Sequence, residues 1–212
     1  HPTNRRQRQM CIRDSFSAGA DLSERKASWS GSKDALIRGY KPSFENIINM
    51  PKPVIASVPG PAAGIGAALA MSCDLRVMSE DSYLLSVFSN IALVPDGGLS
   101  WFLPKFMGYA KAYEHAIEAK KILASDCLKY GIANKVVPSD QLEQITLDWA
   151  NQLAKRSSQS LNHTKRLMRE SLAMSYWDTF SNEAEIQNEL TVSDQNREAV
   201  KAFLEKREPN FD

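Results

Sequence analysis

The sequence predicts an α/β fold, a body of alternating short strands and helices followed by a tail that is helical throughout. Three observations carry this reading. The apolar run Pro53-Val54-Ile55-Ala56-Ser57-Val58, closed by Pro59-Gly60, has the length and composition of a short buried strand, and a helix of small residues follows it at once. Short strand patterns then recur, separated by helical spacing. Beyond Pro138 each segment opens on Ser, Asp or Thr and none has the period of a strand.

Taken in order, residues 1–15 are arginine-rich with neither helical nor strand period, and read as a leader outside the packed body. Residues 30–50 mix charge with apolar positions Ala35, Leu36, Ile37, Phe44, Ile47 and Ile48, which predicts helix on both sides of Lys41-Pro42 with a break or kink at the proline. A strand over 53–58 and a helix over about 64–73 follow, then short strands at 75–78 and 82–85 around an acidic turn. Gly97 to Met107 reads as a helix stopped near Gly108, kinked at Pro104, and Ala110 to Ala119 as a second helix. Ser125-Asp126 reads as the N-cap of a short helix ending at Gly131, before a strand over 132–137. Helices are expected at 139–156, 159–174, 178–191 and 194–206. The implied domains are a core over 16–138 and a helical subdomain over 139–212.

Composition narrows the function. The 212 residues suffice for one good-sized core, with 43% hydrophobic and 24% charged residues, as in an ordinary globular protein. A net charge of +1 argues against a broad nucleic-acid face. No apolar run approaches the length of a membrane span or a signal peptide. Cys11, Cys73 and Cys127 lack metal-site spacing and suit reduced thiols in a cytosolic or organellar compartment. His115 and His163 fall within helices without partners in triad order.

Two turns carry chemistry. In Ala62-Ala63-Gly64-Ile65-Gly66-Ala67-Ala68, small residues at the mouth of a helix let a ligand approach bare N–H groups at the positive end of the helix dipole. Strand–glycine–helix junctions are common, and most serve packing alone. Phe16-Ser17-Ala18-Gly19-Ala20-Asp21-Leu22 is a second small-residue turn, so the two could each offer one N–H to a single oxygen. Asp96, before Gly97-Gly98 and a helix, reads on spacing alone as an N-cap.

Together with Lys52-Pro53-Val54-Ile55-Ala56 and Ile91-Ala92-Leu93-Val94-Pro95-Asp96-Gly97-Gly98, these turns resemble the crotonase superfamily, the enoyl-CoA hydratases and isomerases. The four motifs fall in the family's order, and the resemblance runs from Phe16 to the carboxyl end. It implies a ββα spiral core with a helical C-terminal subdomain. Relatives carry further β-rich sequence ahead of the first motif, so the resemblance implies a truncated N-terminus and a non-native leader over residues 1–15. A longer reading frame upstream of Phe16 tests that expectation.

The resemblance also assigns roles. The N–H groups of Ala20 and Ile65 become the oxyanion hole for a thioester enolate. Ile65 stands where most relatives have glycine, so its branched side chain has to point away from the ligand. Classical hydratases of the family hold a water with two glutamates, whereas this chain has Ala68 and Phe88 at those positions. Asp96 occupies the place of the acid/base carboxylate of single-aspartate isomerases, including the phenylacetate-pathway ring isomerase. Burial beside Phe88, Val94 and Trp101 is expected to raise its pKa, outweighing the helix dipole. Ala18, Asp21, Leu22, Tyr40, Gly64, Pro95 and Gly97 complete the expected substrate site, with Phe203 and Lys206 at the CoA nucleotide. The implied protein is an enoyl-CoA isomerase, a homotrimer or dimer of trimers, needing no metal or redox cofactor. The alternatives are hydratase-like activity, ring-epoxide isomerisation, or acyl-CoA binding without catalysis.

Overall fold

The computed structural model describes residues 15–21 and 29–211; residues 1–14 of the leader with Cys11, Leu22 and the stretch 23–28 lie outside the described residues. Contacts divide the chain into two compact units, one through Ile48 plus Ile55–Thr146, the other Asn49–Val54 plus Leu147 onward.

The first unit contains α1 (Ser32–Asp34), a π-helical segment (Ala35–Tyr40) and the start of α2 (Lys41–Asn49), then β1 (Ile55–Val58), β2 (Ala62–Ala63), α3 (Ile65–Ser72), β3 (Leu75–Ser79) and β4 (Tyr83–Leu85). A 3-10 turn (Phe88–Ile91), α4 (Leu99–Met107), α5 (Tyr109–Ile117), β5 (Lys121–Leu123), α6 (Ala124–Lys129) and β6 (Lys135–Val137) follow. The strands form two sheets of three. In the first, β3 lies between β1 and β6 and all pairs are parallel. In the second, β4 lies between parallel β2 and antiparallel β5.

The core is built on small side chains. Ala67, Ala68, Ala70 and Met71 make α3 apolar all round, the signature of a helix with no face to solvent, and each is buried. Alanines let backbones approach closely, so α3 sits tightly between its neighbours. Val58, Val77, Met78, Leu84 and Ile122 fill the layers beside it. Leu84 is the best test of that core, since it pairs with Ala62 on one side and Ile122 on the other. Leu84→Ala is expected to lower stability by about 2–5 kcal/mol through lost burial and the cavity left. Chemical denaturation should show this as a lower midpoint with an unchanged slope.

Four details depart from the sequence reading. The helix does not break at Lys41-Pro42. Pro42 has no N–H and its ring would strike the carbonyl four residues back, and the π-turn removes that conflict by widening the helix. The N–H of Lys41 accordingly donates to the carbonyl of Leu36, five residues back. Ser125 and Asp126 do not cap α6. The helix starts one residue earlier, its Ala124 N–H held by the Ser82 carbonyl at 3.1 Å, so both residues lie inside the first turn. Strands β2 and β5 were not predicted, because two or three residues are too few for an alternating pattern. The strand expected at 132–137 begins only at Lys135, since Ile132 to Asn134 serve other contacts.

The second unit is helical: the greater part of α7 (Leu142–Ala154), α8 (Ser158–Glu170), α9 (Tyr176–Thr191) and α10 (Asp194–Glu205). Ser157, Ser175 and Ser193 cap α8, α9 and α10, each accepting from the N–H three residues on, at 3.1, 3.2 and 3.1 Å. Among the described residues, no helix is long and apolar enough to cross a membrane.

Candidate active site

The two small-residue turns are laced together by main-chain hydrogen bonds. Ser17 bridges Ala62 in parallel fashion, Phe16 and Ser17 both donate N–H to the Pro61 carbonyl, and Ala63 N–H donates to the Ser17 carbonyl at 2.8 Å. Gly66 is needed at this junction, because a methyl group there would lie 2.4 Å from Ser17 Cβ and 2.9 Å from the Ser17 carbonyl oxygen. The turns are therefore in van der Waals contact with no room for a side chain between them.

This packing determines where the orphan amides lie. The first N–H groups of a helix have no carbonyl inside it to meet. In α3, Ala67 and Ala68 both donate to Gly64 O, at 3.0 and 3.2 Å. Among the described residues the N–H groups of Ile65 and Ala20 have no acceptor. An amide on each interlocked turn is thus unspent, one of them at the positive end of the α3 dipole.

Asp96 comes to the other side of α3. The turn after it holds Gly97 at φ +60°, a left-handed conformation that disfavours any side chain. A methyl group at Gly97 would also lie 2.6 Å from Ala68 Cβ, 2.6 Å from Ile65 Cδ1 and 3.5 Å from Phe44 Cζ. Ala68 and Ile65 therefore both touch the carboxylate's turn. The Ile65 side chain is buried and directed at that turn, while its N–H stays at the helix mouth.

The carboxylate itself is half-buried, and its Oδ1 is sealed from solvent without a hydrogen-bond partner among the described residues. Burial pushes the Asp96 pKa above its ordinary 3.8, the cause being desolvation of the charged form. The N-cap reading of its side chain is corrected here. Gly98 occupies the cap position of α4, no side chain caps the helix, and it is the Asp96 main-chain carbonyl that accepts from Leu99 N–H at 3.1 Å. The expected neighbours are corrected as well. Val94 is 77% exposed and Trp101 47%, so the buried apolar groups against this turn are Ile65 and Ala68.

Phe88 is buried at the start of its 3-10 turn, its ring 3.7 Å from where a Gly64 side chain would begin. The two positions expected to carry carboxylates in a hydratase therefore hold apolar groups packed against Gly97 and Gly64. Pro95 is half-buried. Ala18, Ala20 and Asp21 are exposed on the first turn. Tyr40 is half-buried at the end of the π-segment, and Phe44, one turn further, reaches Gly97. Sequence reasoning named Tyr40 and missed Phe44, although the helical four-residue spacing on one face was there to be read. Phe203 is 82% exposed and Lys206 ends α10 in a left-handed conformation, both in the second unit. Cys73 and Cys127 are buried free thiols, and burial pushes Cys127 up to about 12, so it is inert as a nucleophile at neutral pH.

Comparison with known proteins agrees with this arrangement. The family described as Enoyl-CoA hydratase/isomerase matches residues 12–212. A probable enoyl-CoA hydratase of Rhodobacter capsulatus is 34% identical over 196 residues, spanning 92% of this chain and 76% of the relative. The 1,2-epoxyphenylacetyl-CoA isomerase of Escherichia coli is 31% identical over 200 residues, with the same 92% and 76% coverage. The crystal structure of an enoyl-CoA hydratase from Polaromonas superposes with a TM-score of 0.82 at 29% identity, over 96% of this chain and 74% of that one. The interlaced small-residue turns and the carboxylate turn on α3 are thus found in a chain that belongs to the enoyl-CoA hydratase/isomerase family of the crotonase superfamily.

Proposed function

We propose that this protein is an enoyl-CoA isomerase that moves a double bond along an acyl-CoA thioester by proton transfer through Asp96. The observation that carries the reading is the isolation of that carboxylate: Asp96 Oδ1 is buried and unpartnered, on a turn faced by Ala68, Ile65 and Phe44. A single carboxylate with apolar neighbours suits a reaction that consumes no water. Two carboxylates holding a water would suit hydration, and this site lacks the groups at both expected positions.

A 3-enoyl thioester enters with its carbonyl oxygen toward the N–H groups of Ala20 and Ile65. Asp96, ionised, removes a proton from C2, and the electron pair delocalises onto the carbonyl oxygen as a dienolate. The two amides and the α3 dipole stabilise that oxygen, each donor contributing about 2.7–4 kcal/mol to the barrier reduction. Asp96, now protonated, returns the proton to C4, leaving a conjugated 2-enoyl thioester and a carboxylate ready for the next turnover. Desolvation favours the protonated state on which the second half depends.

In this reading Ala18, Asp21, Tyr40, Gly64 and Pro95 border the acyl-thioester, the resemblance adds Leu22 to them, and it assigns Phe203 and Lys206 to a CoA nucleotide, often that of a neighbouring subunit. The working form is a cytoplasmic homotrimer or dimer of trimers, without metal or redox cofactor. A second reading stays in view, because hydratase and isomerase names both occur among the relatives. The test is to incubate the protein with a 3-enoyl-CoA and separately with a 2-enoyl-CoA and follow product mass. Product of unchanged mass from the first is expected. A water adduct from the second would replace the isomerase by a hydratase, and neither product would point to ring-epoxide isomerisation or binding alone.

A further inference from the structure

Arg76 is a buried arginine that none of the site motifs contains. It lies on β3, the middle strand of its sheet, opposite Ala56 of β1. Nη1 donates to the carbonyls of Cys73 at 2.7 Å, Ala70 at 3.3 Å and Met71 at 3.4 Å, and Nε donates to the Ile132 carbonyl. Ala70 and Met71 are in the last turn of α3, and Cys73 follows its end. These are carbonyls that a helix leaves without an internal donor, at the negative end of its dipole. Ser72 Oγ takes the Leu69 carbonyl at 2.7 Å, so the end of α3 is closed by side chains throughout.

The same guanidinium also lies over the Phe106 ring, 5.8 Å from its centroid. Phe106 is in the last turn of α4, the helix that packs on α3. Arg76 therefore joins the far ends of two helices. The near end of α3 carries the Ile65 amide, and the near end of α4 follows the Asp96 turn.

We infer that Arg76 is a positioning residue, clamping the distal ends of α3 and α4 so that the oxyanion donor at one near end and the carboxylate at the other stay in register. Both helices are short, eight and nine residues, so a tilt at one end displaces the other, with Pro104 lying inside α4 between Phe106 and the Asp96 turn. Arginine suits the post because its planar fork serves several carbonyls while its face rests on an aromatic ring, which lysine does not reproduce. The inference rests on the isomerase reading in taking Ala20 and Ile65 to hold a thioester oxygen and Asp96 to move the proton.

The test compares Arg76→Met, Arg76→Lys and Phe106→Leu with the wild-type protein in two measurements. One is steady-state isomerisation of a 3-enoyl-CoA, normalised to folded protein. The other is the infrared carbonyl band of a bound conjugated dienoyl-CoA, which reports polarisation by the donors whatever the turnover. Arg76→Met is expected to keep KM near wild type, to lose about 10²-fold in kcat, as a misplacement of about 1 Å does, and to move the band back toward its free frequency. Arg76→Lys and Phe106→Leu should show smaller losses with the same band shift. A merely structural role would lower the folded fraction and leave the band in place. If Arg76→Met does not fold, the other two variants decide, and wild-type kcat and band in both overturn the clamp. A wild-type band that is shifted, and stays shifted in Arg76→Met, overturns the clamp alone. A wild-type protein with no band shift overturns the donor assignment and the clamp with it.

Discussion

Asp96→Asn is expected to lower kcat by about 10²–10⁴-fold, the usual worth of a positioned acid/base, while acyl-CoA binding stays near wild type. The amide has the shape of the carboxylate but cannot take the C2 proton. The same substitution is expected to raise stability at neutral pH. The ordinary carboxyl pKa is 3.8 and the folded-state value lies above it, because burial penalises the charged form. Between those two values the native state holds a proton that the unfolded state has released, so stability falls as pH rises through the window, and the loss is complete above the folded-state pKa. Asparagine carries no charge to desolvate and escapes that loss. Asp96 is half solvated, which keeps the gain small. The same window shapes the rate: kcat/KM of the wild type should rise with pH along an acid limb centred above 3.8, and the limb should vanish in Asp96→Asn. Lower activity combined with a higher Tm is the result that identifies a functional carboxylate; a lower Tm with unchanged kcat would assign Asp96 to the fold instead.

That trade-off explains how much of the site was legible in the sequence. The roles given to Asp96, Ala68 and Ile65 came from the family resemblance; local composition alone offered Asp96 as an N-cap and the 62–68 turn as a helix mouth with orphan amides. What the sequence did not show is the contact that unites them. The approach of Ala68 and Ile65 to Gly97 joins residues about thirty positions apart, and only packing produces it. Phe44 was missed because its role depends on the π-turn before Pro42, which keeps the helix running where proline alone predicts a break. Arg76 was passed over for a related reason: it is one charged residue in a short strand pattern, and only the fold places it at the ends of two helices.

Gly66→Ala tests whether the site depends on the close approach of its two turns, and two opposing effects set the outcome. Alanine is the better helix former by about 0.8–1.0 kcal/mol, and Gly66 lies in the first turn of α3, so propensity alone predicts a gain. The added methyl group, however, would lie 2.4 Å from Ser17 Cβ and Oγ and 2.9 Å from the Ser17 carbonyl oxygen. A side chain could rotate aside, but Cβ and the carbonyl cannot without moving the backbone. Overpacking of this kind costs about 1–3 kcal/mol, which exceeds the propensity gain, so net destabilisation is expected. The backbone that must yield is the turn running from Phe16 to Asp21, because α3 is buried on every side whereas Ala18, Ala20 and Asp21 are exposed. Its displacement carries the Ala20 amide away from Ile65, and losing one oxyanion donor costs about 10²–10³-fold in kcat. Adding Ser17→Gly removes the Cβ and Oγ clashes and leaves the carbonyl at 2.9 Å, so the double variant should recover part of kcat and not all of it. Recovery is limited further because Ser17 Oγ accepts the Gly19 N–H at 3.3 Å, a contact that helps shape the same turn. Wild-type kcat in Gly66→Ala alone would mean that the first turn takes no part in holding the thioester oxygen, and would leave α3 as the only source of donors.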